Sequence, residues 1–293
     1  MIKWRGIIWS IHPLFVLVMA ASFLTGYLVE LATLFLLVLV HEIGHVVVAR
    51  GLDWKVREVK LLPFGGVAEV EDEGSMPSSE EALVAIAGPL QNVWMGAAAW
   101  LLGRLGWWDD GWAHYVVNAN LMIGCFNLLP IYPLDGGKLL RALLSKWLTY
   151  YSMMIWTSRI SLALSALMLL ASFAPLIWQG QGMQLNLLAI ALFLWLTNWS
   201  YYRHIPFLFF RFLMHRDRVA LDRLQHGTKA RPIMASGRHS LLHVAKQFWR
   251  DRYHYIYLRS STGVEQVLPE QQIVERILSE RNPHRPMMEL FLP

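Results

Sequence analysis

Runs of apolar residues dominate the chain up to about residue 200 and are sparse after it. A helix needs about 20 mostly apolar residues to cross a bilayer, and six runs approach or reach that length. We therefore predict an α-helical polytopic membrane protein with six transmembrane helices, at residues 7–28, 31–50, 83–102, 112–130, 157–178 and 185–200.

Between the second and third predicted spans, residues 53–73 are too charged to enter a membrane. Apolar and polar residues alternate there with a period of two on both sides of Gly65 and Gly66, which predicts a membrane-associated β-hairpin. One of its strands would offer an open edge beside the second span, where an extended substrate could pair. The alternative is a solvated loop.

The pattern changes again after residue 200, where the chain becomes polar. Residues 201–228 are predicted to form a basic linker, which separates a transmembrane domain of residues 1–200 from a small cytosolic domain of residues 229–293. That last domain is predicted to be α/β, with helices at 240–251 and 270–279 and a strand at 253–259.

Charge supports a topology and a type of partner. Of the 26 lysines and arginines, 15 follow residue 200, and the predicted outer loops contain only Arg104. Basic residues favour the cytosolic side, so both termini are expected to be cytosolic. The net charge of +5 suits a domain held near anionic lipid headgroups of the bilayer, and we find no nucleic-acid-binding motif. The single cysteine excludes an intramolecular disulfide.

Candidate chemistry is concentrated in the second predicted span, which contains the sequence HEIGH. On a helix, His41 and His45 lie on one face, so both imidazoles can reach one Zn²⁺ ion. Glu42 would face a water molecule that the metal activates, and would act as general base. Ionisable groups are costly inside an apolar span, which favours this reading over a chance match.

A catalytic zinc site usually has three protein ligands, and HEIGH supplies two. The best candidate for the third is Asp135, in a turn that follows the fourth span and contains two prolines and two glycines. Both the second and the fourth predicted spans run towards the cytosolic face, so the Asp135 carboxylate lies on the same side of the membrane as His45. The alternative is that Asp135 is an ordinary turn residue or a helix N-cap.

The third predicted span carries intramembrane amides after its Gly-Pro pair. Asn92 could donate a hydrogen bond to a substrate carbonyl or to a developing oxyanion. Polar side chains in such spans also join helices to one another, which is the alternative.

The three motifs HEIGH, AGPLQN and NLLPIYPLDGGK, in this order across residues 1–200, resemble the site-2 protease family of zinc intramembrane metalloproteases. The wording of IHPLF and LLPFGGVAEVE is most similar to the branch of that family that acts in endospore-forming bacteria. The resemblance implies His41, His45 and Asp135 as zinc ligands and Glu42 as the base. It also implies a substrate-positioning role for Asn127 and Pro133, to which we add Asn92, Gly65 and Gly66.

The resemblance implies partners as well. The expected substrate is a membrane-associated pro-sigma factor, cut near the cytosolic face of the membrane that surrounds the forespore, and inhibitory membrane proteins are expected to control the enzyme. The tail is similar to one repeat of a cystathionine β-synthase-type (CBS) domain. Such repeats work in pairs, which implies a homo-oligomer joined through the tail, with ATP as a possible second ligand.

Two other classes of protein remain as alternatives at this stage. A membrane transporter with a CBS-type regulatory tail would explain the spans and the intramembrane polar residues, but it has no need of a glutamate base beside a metal ligand. A non-catalytic membrane scaffold would bind no metal, so the zinc content of the purified protein distinguishes it.

Overall fold

The structure is a computed structural model. It describes residues 2–4, 7–11, 19, 22–62, 65–70, 76–178, 182–225, 230–260, 263–279 and 284–287. The chain divides into two compact units. The first consists of Met1–Glu73 and Ser79–Leu139, and the second of Gly74–Ser78 and Leu140–Pro293.

Helices make up most of the described chain. In chain order they are α1 (Leu28–Gly51), α2 (Ser78–Arg104), α3 (Asp110–Asn127), α4 (Asp135–Leu144), α5 (Tyr150–Ala171), α6 (Ala174–Trp178), α7 (Leu185–Gln225), α8 (Leu241–Ala245) and α9 (Glu270–Ser279).

Three helical segments of the described chain are long and apolar enough to cross a membrane: Leu28–Gly51, Ser78–Arg104 and Tyr150–Leu176. They coincide with the second, third and fifth predicted spans. Helix α3 and the first half of α7 lie where two more spans were expected, so a total of six stays a prediction.

The first predicted span is wrong at its beginning. Strands β1 (Ile2–Trp4) and β2 (Ile7–Ile11) form there, and β2 pairs in parallel with β3 (Val56–Leu62). The stretch is rich in isoleucine, which suits a strand as well as an apolar helix. Residues 12–18, 20 and 21, also part of that span, lie outside the described residues.

The predicted hairpin is confirmed. Strand β3 pairs antiparallel with β4 (Gly65–Val70), and the sheet has the order β1-β2-β3-β4. Strand β4 is therefore at an edge of this sheet, and it contacts helix α1. Its outer side has no strand partner among the described residues.

The predicted basic linker of residues 201–228 is helical as far as residue 225, and residues 226–228 lie outside the described residues. Helix α7 continues through residues 201–225 without a break, although Pro206 lies inside it. It packs against α5, and both helices share a hydrophobic core with the C-terminal residues, in which Tyr150, Phe209 and Phe248 take part. The tail therefore packs against helices α5 and α7.

The C-terminal part of this unit has the order β5-α8-β6-β7-α9, with strands β5 (Ala230–Ser236), β6 (Tyr253–Ser260) and β7 (Gly263–Pro269). Strand β5 is parallel to β6, and β6 is antiparallel to β7. The helix expected at 240–251 is only Leu241–Ala245. The helix expected at 270–279 is present, and the order is compatible with the CBS-type resemblance, which stays a prediction.

A buried ionic cluster ties α7 to the tail. The Arg216 guanidinium contacts the Glu270 carboxylate at 3.0 and 3.1 Å. His254 Nδ1 donates to the same carboxylate at 2.7 Å, and His254 Nε2 accepts from the Trp249 amide at 3.1 Å. Because every charge in the cluster has a partner, burial of these groups is tolerated.

Candidate metal centre

Helix α1 carries the two histidines and the glutamate on adjacent turns. All three side chains are buried, with 1% of His41, 7% of Glu42 and 5% of His45 exposed. One ligand atom of each lies within 4.8 Å of the others. The predicted i, i+4 geometry is thus present, inside an apolar helix.

Asp135 joins this pair from the first turn of α4, where 4% of it is exposed. Its Oδ2 atom is 3.1 Å from His41 Nε2 and 3.0 Å from His45 Nε2. The two Nε2 atoms are 3.2 Å apart. Three atoms from two distant parts of the sequence therefore form a small triangle.

The protonation of these atoms follows from their other contacts. His45 Nδ1 is 2.7 Å from the carbonyl oxygen of Val84, which can only accept, so Nδ1 carries the proton. His41 Nδ1 is 2.6 Å from Asn92 Oδ1 and donates to it in the same way. In the neutral imidazoles both Nε2 atoms then carry lone pairs, and these point at each other and at a carboxylate oxygen.

Three acceptors facing one another repel unless a cation lies between them. In tetrahedral zinc sites the metal–ligand distance is about 2.0–2.2 Å, which sets neighbouring ligand atoms about 3.3–3.6 Å apart. The separations of 3.0–3.2 Å in the triangle are a few tenths of an ångström shorter, so a small outward movement of the side chains would admit the ion. Two imidazoles and one carboxylate, with the imidazole N–H groups held by acceptors, are also the donor set and support of a catalytic zinc site. The residues fit zinc.

The loop before α4 fixes the position of Asp135. A Cβ atom on Gly136 would lie 2.1 Å from the carbonyl oxygen of Leu128, and one on Gly137 would lie 2.4 Å from the amide nitrogen of Tyr132. The loop backbone therefore wraps so tightly around the first turn of α4 that only glycine fits. Lys138 Nζ holds the second oxygen of Asp135 at 3.1 Å, which leaves Oδ2 for the histidines.

Gly88 of α2 lies next to the two histidine rings. A Cβ atom at this position would be 2.2 Å from His45 Nε2 and 2.6 Å from His41 Nε2. The absence of a side chain at Gly88 therefore leaves room on the face of the imidazoles that a metal would use.

The other predicted site residues have varied surroundings. Asn92 is buried, and both ends of its amide have protein partners, since its Nδ2 donates to Asn120 at 3.1 Å. The Asn92 amide is therefore hydrogen-bonded to His41, and its predicted role in positioning the substrate stays a prediction. Asn127 ends α3 and donates to the Ile123 carbonyl of its own helix. Pro133 lies in the loop before Asp135 and follows a cis peptide bond.

Gly65 and Gly66 begin β4, where they pair with Leu62 and Leu61. Their strand is the one that contacts α1, so the edge strand and the histidine helix belong to the same unit.

Sequence reasoning missed three contributors: Gly88, Lys138 and Asn120. Lys138 had a signal, because it lies three residues after Asp135, and side chains at that spacing are neighbours wherever a helix begins. Asn120 also had one, since it is an amide within an apolar run. The role of Gly88 depends on how closely α1 and α2 approach, and no spacing in the sequence gives that distance.

Comparisons with known proteins found similar sequences. The sequence profile of peptidase family M50 matches residues 29–108 and 106–171. The chain is 33% identical over 293 residues to stage IV sporulation protein FB of Bacillus subtilis, covering 99% of both chains. It is 36% identical over 142 residues to a zinc metalloprotease of Methanocaldococcus jannaschii, covering 47% of this chain and 40% of that one.

A solved structure is also similar. The site-2 protease from Methanocaldococcus jannaschii superposes with a TM-score of 0.55 at 29% identity, over 69% of this chain and 94% of that chain.

Proposed function

Because the chain belongs to peptidase family M50, the site-2 proteases, we propose that His41, His45 and Asp135 hold the zinc ion with which this membrane metalloendopeptidase cuts a membrane-associated pro-protein. The observation that carries the assignment is the triangle of three lone-pair atoms, 3.0–3.2 Å apart, beside a buried glutamate.

When bound, zinc supplies Lewis acidity, which lowers the pKa of water and polarises a carbonyl. Glu42 takes the proton from the attacking water and passes it to the leaving amine. Its carboxylate is buried and belongs to the same cluster as the two histidines, with one ligand atom of each residue within 4.8 Å of the others, so it is close enough to reach that water. The carbonyl of Val84 and the amide of Asn92 keep the two histidines deprotonated at Nε2.

The substrate is held extended in the site by the edge strand. A peptide bond reaches a protease active site as extended backbone, and an unpaired strand edge binds such backbone through its amides and carbonyls. Strand β4 begins at Gly65 and Gly66 and lies against the histidine helix. The loop with Asn127 and Pro133 leads into Asp135 and guides the substrate from the other side.

The substrate class we propose is a pro-sigma factor that is activated by removal of its pro-segment. Similarity over the full length to stage IV sporulation protein FB supports this choice, together with the motif wording IHPLF and LLPFGGVAEVE. Cytosolic termini, a location in the membrane around the forespore, and control by inhibitory membrane proteins are parts of the same proposal. The proposal also includes pairing of two chains and ATP binding through the CBS-like tail, which follow from the resemblance of the tail alone.

The test is a cleavage assay in cells that produce the full-length enzyme together with a pro-sigma factor. Glu42→Gln keeps the size of the side chain and removes the base, so cleavage should be lost while the purified protein still contains one zinc. The matched control is Glu30→Gln, which makes the same change on the same helix twelve residues earlier. Substantial cleavage by Glu42→Gln would remove Glu42 from its assigned role.

A further inference from the structure

We propose that Asn120 is a positioning residue of the metal centre: it fixes the orientation of the Asn92 amide and thereby keeps the metal-facing nitrogen of His41 unprotonated. This inference rests on the proposed function of the centre, and it extends that centre to a residue that contacts neither metal nor substrate.

A chain of buried hydrogen bonds links Asn120 to His41. Asn120 Nδ2 donates to the carbonyl oxygen of Val116 at 2.9 Å. Asn120 Oδ1 accepts from Asn92 Nδ2 at 3.1 Å, and Asn92 Oδ1 accepts from His41 Nδ1 at 2.6 Å. The exposed fractions of Asn92 and Asn120 are only 3% and 1%, so neither amide can turn to water.

The direction of this chain is set at its far end. The Val116 carbonyl can only accept, so the NH₂ group of Asn120 must face it, and the oxygen of Asn120 must face Asn92. That oxygen in turn holds the NH₂ group of Asn92, which leaves the oxygen of Asn92 for His41. Each step follows because a donor must meet an acceptor in a place without water.

Without a second hydrogen-bond partner, the side-chain amide of Asn92 could lie in either of two orientations that exchange its oxygen and its NH₂ group. If Asn120 were apolar, the Asn92 amide could rotate by half a turn and present its NH₂ group to His41 Nδ1. The proton of His41 would then move to Nε2, which faces His45 and Asp135 and would no longer offer a lone pair to a cation. Asn120 prevents this state.

The packing of α2 and α3 is arranged around the two amides. Each helix carries an Asn-x-x-x-Gly motif: Asn92 and Gly96 on α2, Asn120 and Gly124 on α3. A Cβ atom on Gly124 would contact Asn92 Cβ at 3.4 Å, and one on Gly96 would contact Asn120 Cβ at 3.6 Å. Each asparagine therefore faces the glycine of the other helix, which lets the helices approach closely enough for the amides to bond.

The experiment measures the zinc affinity of the purified full-length protein in detergent, by competition with a chromophoric chelator. Support around a ligating histidine is typically worth 10–100-fold in metal affinity, so Asn120→Leu should raise the zinc Kd by roughly that factor. Asn118→Leu is the matched control, because Asn118 is an exposed amide on the same helix. Thermal unfolding monitors the fold, and Asn120→Ala replaces the leucine variant if the latter does not fold.

A double-mutant cycle separates orientation from simple packing. Asn92→Asp offers an oxygen to His41 in either orientation, so in that background Asn120→Leu should change the Kd by less than about threefold. An unchanged Kd for Asn120→Leu, or the same loss in the Asn92→Asp background, would overturn the inference. Failure of the wild-type protein to bind zinc would instead refute the proposed function.

Discussion

Gly88 gives the most direct test of whether the triangle is a metal site. The change is Gly88→Ala, one methyl group on helix α2. The new Cβ atom would lie 2.2 Å from His45 Nε2 and 2.5 Å from His45 Cε1, whereas ordinary contacts begin at 3.4 Å. Helix α2 or the imidazole must therefore move by about 1 Å.

A shift of that size is large for a metal site but small for a helix pair. Metal–ligand distances tolerate about 0.2 Å, so a displaced His45 no longer completes the triangle. Loss of support around a ligand costs 10–100-fold in affinity, and loss of the ligand itself should exceed this. We expect the zinc Kd to rise at least about 100-fold, which corresponds to roughly 2.7 kcal/mol, and cleavage to fall with it.

The assay is zinc content after dialysis against a metal buffer, alongside cleavage of the co-produced pro-protein. The control is Gly51→Ala, since Gly51 also lies in a helix but has no atom within 4 Å of its added Cβ. Circular dichroism should show equal helix content for both variants. Full zinc occupancy and normal cleavage in Gly88→Ala would refute the geometry of the centre.

Three further outcomes are expected. Asp135→Ala removes one of the three proposed ligands, so zinc content and cleavage should both fall, and retention of full zinc would mean that another residue completes the site. Glu270→Gln leaves the buried Arg216 charge without its partner, which should destabilise the second unit by about 3–5 kcal/mol in thermal unfolding, whereas the exposed control Glu275→Gln should change little. Burial lowers the pKa of His254 below its usual 6.5; the Arg216 charge also lowers it, and the hydrogen bond to Glu270 opposes the shift. The free energy of unfolding should therefore be constant above pH 6.5 and decline as the pH falls below that value. A flat profile, or an equal decline in His254→Asn, would contradict this.

The residues of the proposed metal centre could be predicted because they lie in short sequence motifs whose spacing indicates how the side chains are placed. His41 and His45 share a helix face by spacing alone, and an apolar run made a chance HExxH match improbable. The hairpin was predictable because the alternation around Gly65 and Gly66 is a local signal. The distance between Asp135 and the histidines was not: it depends on the turn at Gly136, whose backbone packing no residue pattern encodes.

The errors also have physical causes. Residues 7–11 include three isoleucines and a tryptophan, so their hydropathy suggested part of a span, whereas they form a strand that pairs with β3 residues 50 positions later in the chain. Residues 201–225 are rich in charge, which suggested a linker, but Ile205, Phe209, Phe212 and Leu213 within this range lie in one hydrophobic core with residues of α5 and the tail.

Helix α7 has a mechanical consequence. Its 41 residues make a rod about 60 Å long, twice the thickness of the hydrocarbon core of a bilayer. Arg216, in the second half of this helix, binds Glu270 of the tail, and Pro206 lies near the middle of the helix, where the missing amide hydrogen bond lowers the resistance to bending. Because the tail is bound to the second half of α7, a movement of the tail would be transmitted along this helix to Pro206, where the helix bends most easily.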